Sequence, residues 1–233
     1  EGIFQVSADG KLYALDFDGD LKWTFETGGP VWARPAANEE CTCLFLASMD
    51  HHVYAVDAVS GDLIWKSEDV GGAIVGTPAF DHGDTVIVGT FASEIIALNA
   101  ETGSEVWRFA TEGWVWSGGV LYQDAFYVGD LQGFIYSIDA ATGEQIWRLQ
   151  PGGAIIGSPL LANEQLVFSS ENDTVFFISL EGDVLDSQVV SGTLYATPYA
   201  AGDLILIAPI NSDILLAALN ASGAQQWTYM PEK

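Results

Sequence analysis

A tryptophan that returns at a nearly fixed interval constrains this chain more than any other feature. Trp23, Trp65, Trp107, Trp147 and Trp227 each follow a turn glycine by four residues, with gaps of 42, 42, 40 and 80. The last gap is two periods, so one unit has lost its Trp. Asp186, in Glu181-Gly182-Asp183-Val184-Leu185-Asp186, stands in its place. The chain therefore reads as six copies of a unit of roughly 40 residues, a period that belongs to propellers and solenoids.

Four pieces recur within each unit. The first reads Gly28-Gly29-Pro30-Val31-Trp32-Ala33-Arg34-Pro35, matched at 71–78, 112–119, 152–159 and 191–198. The second is a short β-rich run, such as Leu44-Phe45-Leu46-Ala47 or Val86-Ile87-Val88-Gly89. The third reads Val53-Tyr54-Ala55-Val56-Asp57, matched at 12–16, 95–99 and 135–139. The fourth carries the Trp. Apolar runs of four to six residues separated by Asp, Gly, Asn and Ser are strand and turn chemistry, with no helical period. Four short strands per unit of roughly 40 residues is the arithmetic of a propeller blade. The expectation is one all-β domain over residues 1–233, a six-bladed β-propeller of four-stranded antiparallel blades, with units ending near Trp23, Trp65, Trp107, Trp147, Asp186 and Trp227.

The turns have a physical basis. Strand three closes on Asp16, Asp57, Asn99, Asp139, Ser179 or Asn220, each able to bond its own backbone two residues on. The glycine that follows supplies positive φ. Two residues before the Asx position stands Ala14, Ala55, Ala97, Ser137 or Ala218, with Phe177 the exception. The small residue is expected to leave room for a neighbouring blade's Trp. The chain opens at strand two, Ile3-Phe4-Gln5-Val6, so blade one lacks its inner strand. An earlier segment of the chain, a larger ring or a partner would each account for that edge, which is a template for strand addition or dimerisation.

These units resemble the PQQ-like (pyrroloquinoline-quinone-type) propeller repeat, with its Ala-x-Asp-x-x-Thr-Gly-x-x-x-Trp docking motif. The best copy runs from Ala97 through Asn99, Thr102 and Gly103 to Trp107; Ser137 to Trp147 and Ala55 to Trp65 follow closely. The resemblance covers nearly the whole chain. It implies the fold and assigns Trp23, Trp65, Trp107, Trp147 and Trp227 to docking between blades. It leaves function open, because members include quinoprotein dehydrogenases, an outer-membrane-protein assembly lipoprotein and sensor domains fused to kinases.

Charge narrows the partners. Lys and Arg number 7 against 32 Asp and Glu, a net charge of −25. That opposes binding to nucleic-acid phosphates and to anionic lipid. No stretch approaches eighteen apolar residues, so no membrane span is expected. The acidity reads as a solubility device of an exported protein, and the expected location is extracytoplasmic. Cys41 and Cys43 are too few for a disulfide framework or a paired-Cys zinc site. Asn172-Asp173-Thr174 and Asn220-Ala221-Ser222 match the glycosylation sequon, which matters only in a eukaryotic secretory host.

Catalytic readings are thin. The adjacent His51 and His52 point apart, and the cysteines stand at the other end of the same strand, so the four cannot share a tetrahedral ion. Asp16-Phe17-Asp18-Gly19-Asp20 has the look of a calcium loop but is explained as an Asx turn. His82 lies in a tight turn, and there is no Gly-x-Ser-x-Gly elbow. A quinoprotein dehydrogenase holding quinone and calcium is the alternative function that the resemblance implies. It would want adjacent cysteines and clustered cations, whereas strand one carries the single cation Arg34.

The strand-one slots hold the sharper signal. Trp32, Trp116 and Tyr195 occupy positions that are Val75 and Ile156 in the other units, and Trp114 adds a ring two residues before Trp116. Arg34 fills a slot otherwise taken by Thr77, Gly118, Ser158 and Thr197. Aromatic anchors with an Arg are the residues that binding hot spots use. Alternatively, Trp32 and Trp116 fill wedges between blades. The reading is a non-catalytic scaffold or sensing module without a bound cofactor, taking a protein partner or small ligand at the channel mouth.

Overall fold

The computed structural model describes residues 2–38, 42–81 and 84–232. Among them there is no helix, and the strands form six antiparallel sheets. Blade one has three strands, Ile3–Val6, Lys11–Leu15 and Leu21–Glu26. Blade two has Ala36–Ala37, Cys43–Ala47, Val53–Asp57 and Leu63–Lys66; blade three has Ala79–Asp81, Thr85–Gly89, Glu94–Asn99 and Glu105–Ala110. Blade four comprises Val120–Tyr122, Ala125–Gly129, Ile135–Asp139 and Gln145–Leu149, and blade five Leu160–Ala162, Gln165–Ser170, Thr174–Ser179 and Val184–Val189. Blade six comprises Tyr199–Ala201, Leu204–Ile207, Leu216–Asn220 and Gln225–Tyr229. Strands pair in sequence order from the centre outward, so each blade is a meander, and this is the all-β propeller that the repeat implies.

The buried apolar side chains fall into five clusters among the described residues, and each cluster joins two consecutive blades. The second strand of blade three shows how. Val86 and Val88 pack toward blade two, while Ile87 packs toward blade four. A strand buried on both faces reads as a continuous apolar run, which is why the second and third strands lack alternation. Outer strands are covered on one side only, as in Glu105–Ala110, where Trp107 is buried and its neighbours are exposed. No cluster among the described residues joins blade six to blade one.

The docking tryptophans behave differently from the expectation in one respect. The small residue of strand three lies directly opposite its own blade's Trp: Ala14 opposite Trp23, Ala55 opposite Trp65, Ala97 opposite Trp107 and Ser137 opposite Trp147. A large side chain there would push the indole off its own sheet. The neighbouring blade receives the ring on its turn glycine instead. A Cβ on Gly103 would meet Trp65 Cε3 at 2.5 Å, and one on Gly143 would meet Trp107 Cδ2 at 2.7 Å. Three of the indole N–H groups donate to a carbonyl of the next blade: Trp65 to Ala100 at 2.8 Å, Trp107 to Ala140 at 2.9 Å and Trp147 to Leu180 at 2.8 Å.

In every blade the register of the outer pair shifts just past this Ala–Trp position. The bulge opposes two outer-strand residues to one and adds local twist. The Asx turns form as expected. Asp57 accepts the backbone N–H groups of Val59 and Ser60, both at 2.8 Å, and those bonds hold its carboxyl below the usual value. Cys43 is half-buried, and burial pushes its thiol up to about 11. Cys41 and His82 lie outside the described residues.

Candidate functional site

The site begins with a repeated stitch between blades. At one end of the propeller, the turn between strands two and three donates a backbone hydrogen bond to the linker that enters the blade. Met49 N bonds Pro30 O, Phe91 N bonds Ala73 O, Leu131 N bonds Trp114 O and Glu171 N bonds Ala154 O, at 2.9, 2.9, 3.0 and 2.9 Å. Linkers and turns are thereby fixed around one mouth. Carboxylates, one buried and one partly buried, reinforce two of these stitches. Asp130, 0% exposed, accepts Gly113 N, Gln132 N and Phe134 N at 2.9 Å each and the Tyr136 hydroxyl at 2.8 Å. Asp50 accepts Gly28 N and the Tyr54 hydroxyl in the same manner. Burial works to raise the Asp50 pKa; hydrogen bonds from Tyr54, Ser48, His52 and Gly28 outweigh it, and the value is lowered.

Alternation along each linker then decides what faces solvent. Val31, Ile74, Val115, Ile155 and Leu194 are at most 1% exposed and plug the wedges between blades. The next residue must turn the other way. That position holds Trp32 and Trp116, 54% and 37% exposed, and Tyr195, 40% exposed. The large rings at these slots are exposed, and the wedges are filled by the residues before them.

Trp114 and Trp116 do not stand alone. Phe91, from the turn of blade three, stacks on both, with ring centroids 5.3 Å from Trp114 and 4.9 Å from Trp116. The three rings form one half-exposed apolar step. Phe91 escaped notice in the sequence because its slot lies in a turn. Counting two residues beyond the end of strand two gives Met49, Phe91 and Leu131, and would have found it. Tyr195 donates its hydroxyl to Glu171 Oε1 at 3.2 Å, a bond that raises the tyrosine's pKa.

Below the rim lies a cavity of about 560 Å³ lined by the inner strands. Arg34, Thr77, Gly118, Ser158 and Thr197, one from each linker, all face it. The repeat thus brings all five members of that slot together. Inner segments of adjacent blades approach backbone to backbone here: a Cβ on Gly157 would meet Ala196 at 2.9 Å, and one on Gly76 would collide with Ser117. None of the residues lining this cavity is acidic, and Arg34 is the one cation among them. Such a donor set fits neither a calcium ion nor a quinone bearing three carboxylates. His51 and His52 take separate partners, Asp69 and the Ser67 carbonyl.

Comparison with known proteins extends these observations. The sequence profile of the family described as outer membrane protein assembly factor BamB matches residues 1–108 and 91–228. A protein of that name from Shewanella oneidensis is 27% identical over 124 residues, 50% of this chain. The match spans 31% of the Shewanella protein's length. Among solved structures, BamB from Moraxella catarrhalis superimposes with a TM-score of 0.85 at 19% identity, covering 98% of this chain and 70% of the other. The computationally designed Ika8 protein superimposes with a TM-score of 0.84 at 12% identity, covering 97% and 70%. Those two likenesses establish the propeller, and Ika8 reaches it with a sequence almost unrelated to this one. With its PQQ-like repeats matched from residue 1 to residue 228, the chain belongs to the family of the outer membrane protein assembly factor BamB.

Proposed function

We propose that this chain is a non-catalytic, extracytoplasmic docking platform that holds a protein partner during outer-membrane-protein assembly. The observation that carries the reading is the step made by Trp114, Phe91 and Trp116, three stacked rings of which the two tryptophans are exposed, with Trp32 and Tyr195 exposed at the slots of two other linkers that match Trp116. Rigid aromatic anchors lose little conformational entropy on binding and dominate interface energetics. Exposing Trp32, Trp114, Trp116 and Tyr195 is costly for a protein that does not cover them. The names of the matched relatives, assembly factors of outer membrane proteins, support the proposed process and an extracytoplasmic location. The half-exposed edge Ile3–Val6 is a second surface at which an added strand would complete blade one.

Site-specific photo-crosslinking in the native host tests this. A photoreactive residue replacing Trp32 or Trp114 is expected to give adducts of discrete mass. The same residue at Val59, 81% exposed in a turn at the opposite end of blade two, is expected to give none. Equal labelling at all three positions would remove the rim as the docking surface.

A further inference from the structure

The cavity beneath the rim carries an inference of its own. The chain has three arginines. Arg108 pairs with Glu94 and with Glu105, and Arg148 pairs with Glu112 at 2.8 Å. Arg34 has no ion pair or hydrogen bond among the described residues. In a chain with 32 Asp and Glu, that is a matter of placement rather than of supply. Among the described residues, the fold sets its one unpaired guanidinium, exposed to solvent, at a cavity whose lining contains no carboxylate.

Three hydroxyl-bearing residues line the same cavity. Thr77, Ser158 and Thr197 occupy the equivalent slots of three other linkers. Thr197 Oγ1 accepts the Ser158 backbone N–H at 3.0 Å, which orients it and leaves its own O–H free to donate. The hydroxyls of Thr77 and Ser158 make no hydrogen bond among the described residues. A guanidinium with three available hydroxyl donors is a receptor for an oxyanion, and its planar fork matches a carboxylate. A single positive charge balances a monoanion. A dianion would bring excess negative charge into a molecule already at −25. The remaining lining is largely apolar, including Phe80, Val120 and Leu121, and Trp32 and Trp116 precede the lining residues Arg34 and Gly118 by two positions. The volume of about 560 Å³ lies within the usual range for small-ligand sites.

We propose that this channel is a binding site for a small organic carboxylate, its charged end held by Arg34 with the Thr77, Ser158 and Thr197 hydroxyls and its apolar body directed toward the aromatic rim. This goes beyond the docking role. Rim residues serve both readings, so Arg34 and the ligand's charge are what separate them.

The test is calorimetric titration of the full chain with phenylacetate, phenylacetamide and inorganic phosphate. Phenylacetate is expected to bind once per chain, with the isosteric amide and phosphate each at least tenfold weaker. Arg34→Gln is expected to weaken phenylacetate at least tenfold and leave the amide unchanged. Arg34→Lys should fall between the two, since an ammonium keeps the charge and loses the fork. Amide binding as tight as the acid, an unaffected Arg34→Gln variant, or no saturable phenylacetate binding would each overturn the proposal. Phosphate binding at least as tightly as phenylacetate would overturn the carboxylate assignment. The acid–amide comparison is made on the unaltered protein, so it stands even if a variant misfolds. A negative result here leaves the crosslinking result at the rim untouched.

Discussion

At the residue scale, the degenerate fifth unit is the most instructive. Phe177 and Asp186 lie directly opposite each other, in the register that elsewhere pairs a small residue with Trp. A Cβ on Gly223 would meet Phe177 Cε2 at 3.2 Å and would collide with the Asp186 carboxylate. Phe177 is fully buried, in the cluster that joins blades five and six. The aromatic ring has crossed from strand four to strand three, and it still covers the glycine of the next blade. Restoring Trp at position 186 alone should therefore overpack the pair and destabilise by about 1–3 kcal/mol. The double change Phe177→Ala with Asp186→Trp should recover most of that loss. Urea unfolding of both single variants and the double would show strong non-additivity; additive effects would show that the two positions do not share one space. A glycine pair sharpens the same logic. Gly143 and Gly19 both have positive φ, +75° and +89°, but only at Gly143 would a Cβ meet the indole of Trp107; nothing lies within 4 Å of Gly19. Gly19→Ala should cost about 1–2 kcal/mol, the left-handed backbone penalty alone, and Gly143→Ala distinctly more.

At the scale of the element, the docking tryptophans divide by what covers them. Trp107 is 8% exposed and donates to Ala140, whereas Trp227 is 41% exposed. Trp107→Ala should cost about 3–5 kcal/mol and Trp227→Ala roughly 1 kcal/mol or less, read as the shift in urea midpoint at constant slope. The repeat made the strands, their order and the Asx turns legible, because burial on both faces and a positive-φ glycine each leave a residue signature. It also made the members of the Arg34 slot legible, since counting from the turn glycine aligns all five linkers. Two things were hidden. The own-blade pairing of Ala97 with Trp107 depends on the register between strands three and four, which the bulge shifts by one. The stack on Phe91 depends on a contact between a turn of blade three and the linker leaving that blade, and nothing in either segment alone announces the other. Asp130 was hidden for a related reason: an Asp in a turn reads as solvated, and the donor Gly113 N reaches it only from the folded linker.

At the scale of the whole molecule, net charge and turn chemistry pull stability in opposite directions as pH changes. At pH 7 the charge of −25 opposes compaction by self-repulsion, which salt screens over about 10 Å at 0.1 M. Raising NaCl from about 0.05 M to about 0.5 M should therefore raise the melting temperature, by roughly 2–4 °C for each 1 kcal/mol of repulsion relieved. Near the isoelectric point of about 4.1 the repulsion is gone, and the salt effect should vanish with it. The turn aspartates act lower on the scale. Asp50, Asp57 and Asp139 all have pKa values depressed below 3.8 in the folded protein. A depressed carboxyl contributes stability that is complete above the unfolded-state pKa and is lost as pH falls through the folded-state value. Their contribution is thus intact at neutral pH and at the isoelectric point, and disappears only below about pH 4. Melting curves should show a salt-dependent branch above pH 5, little salt dependence near pH 4, and a steep loss of stability below pH 3.5. Asp57→Asn and Asp139→Asn together should flatten that acid limb and leave the salt-dependent branch nearly unchanged. An acid limb that survives both substitutions would locate the acid sensitivity outside these two Asx turns, with Asp50 at the channel mouth next in line.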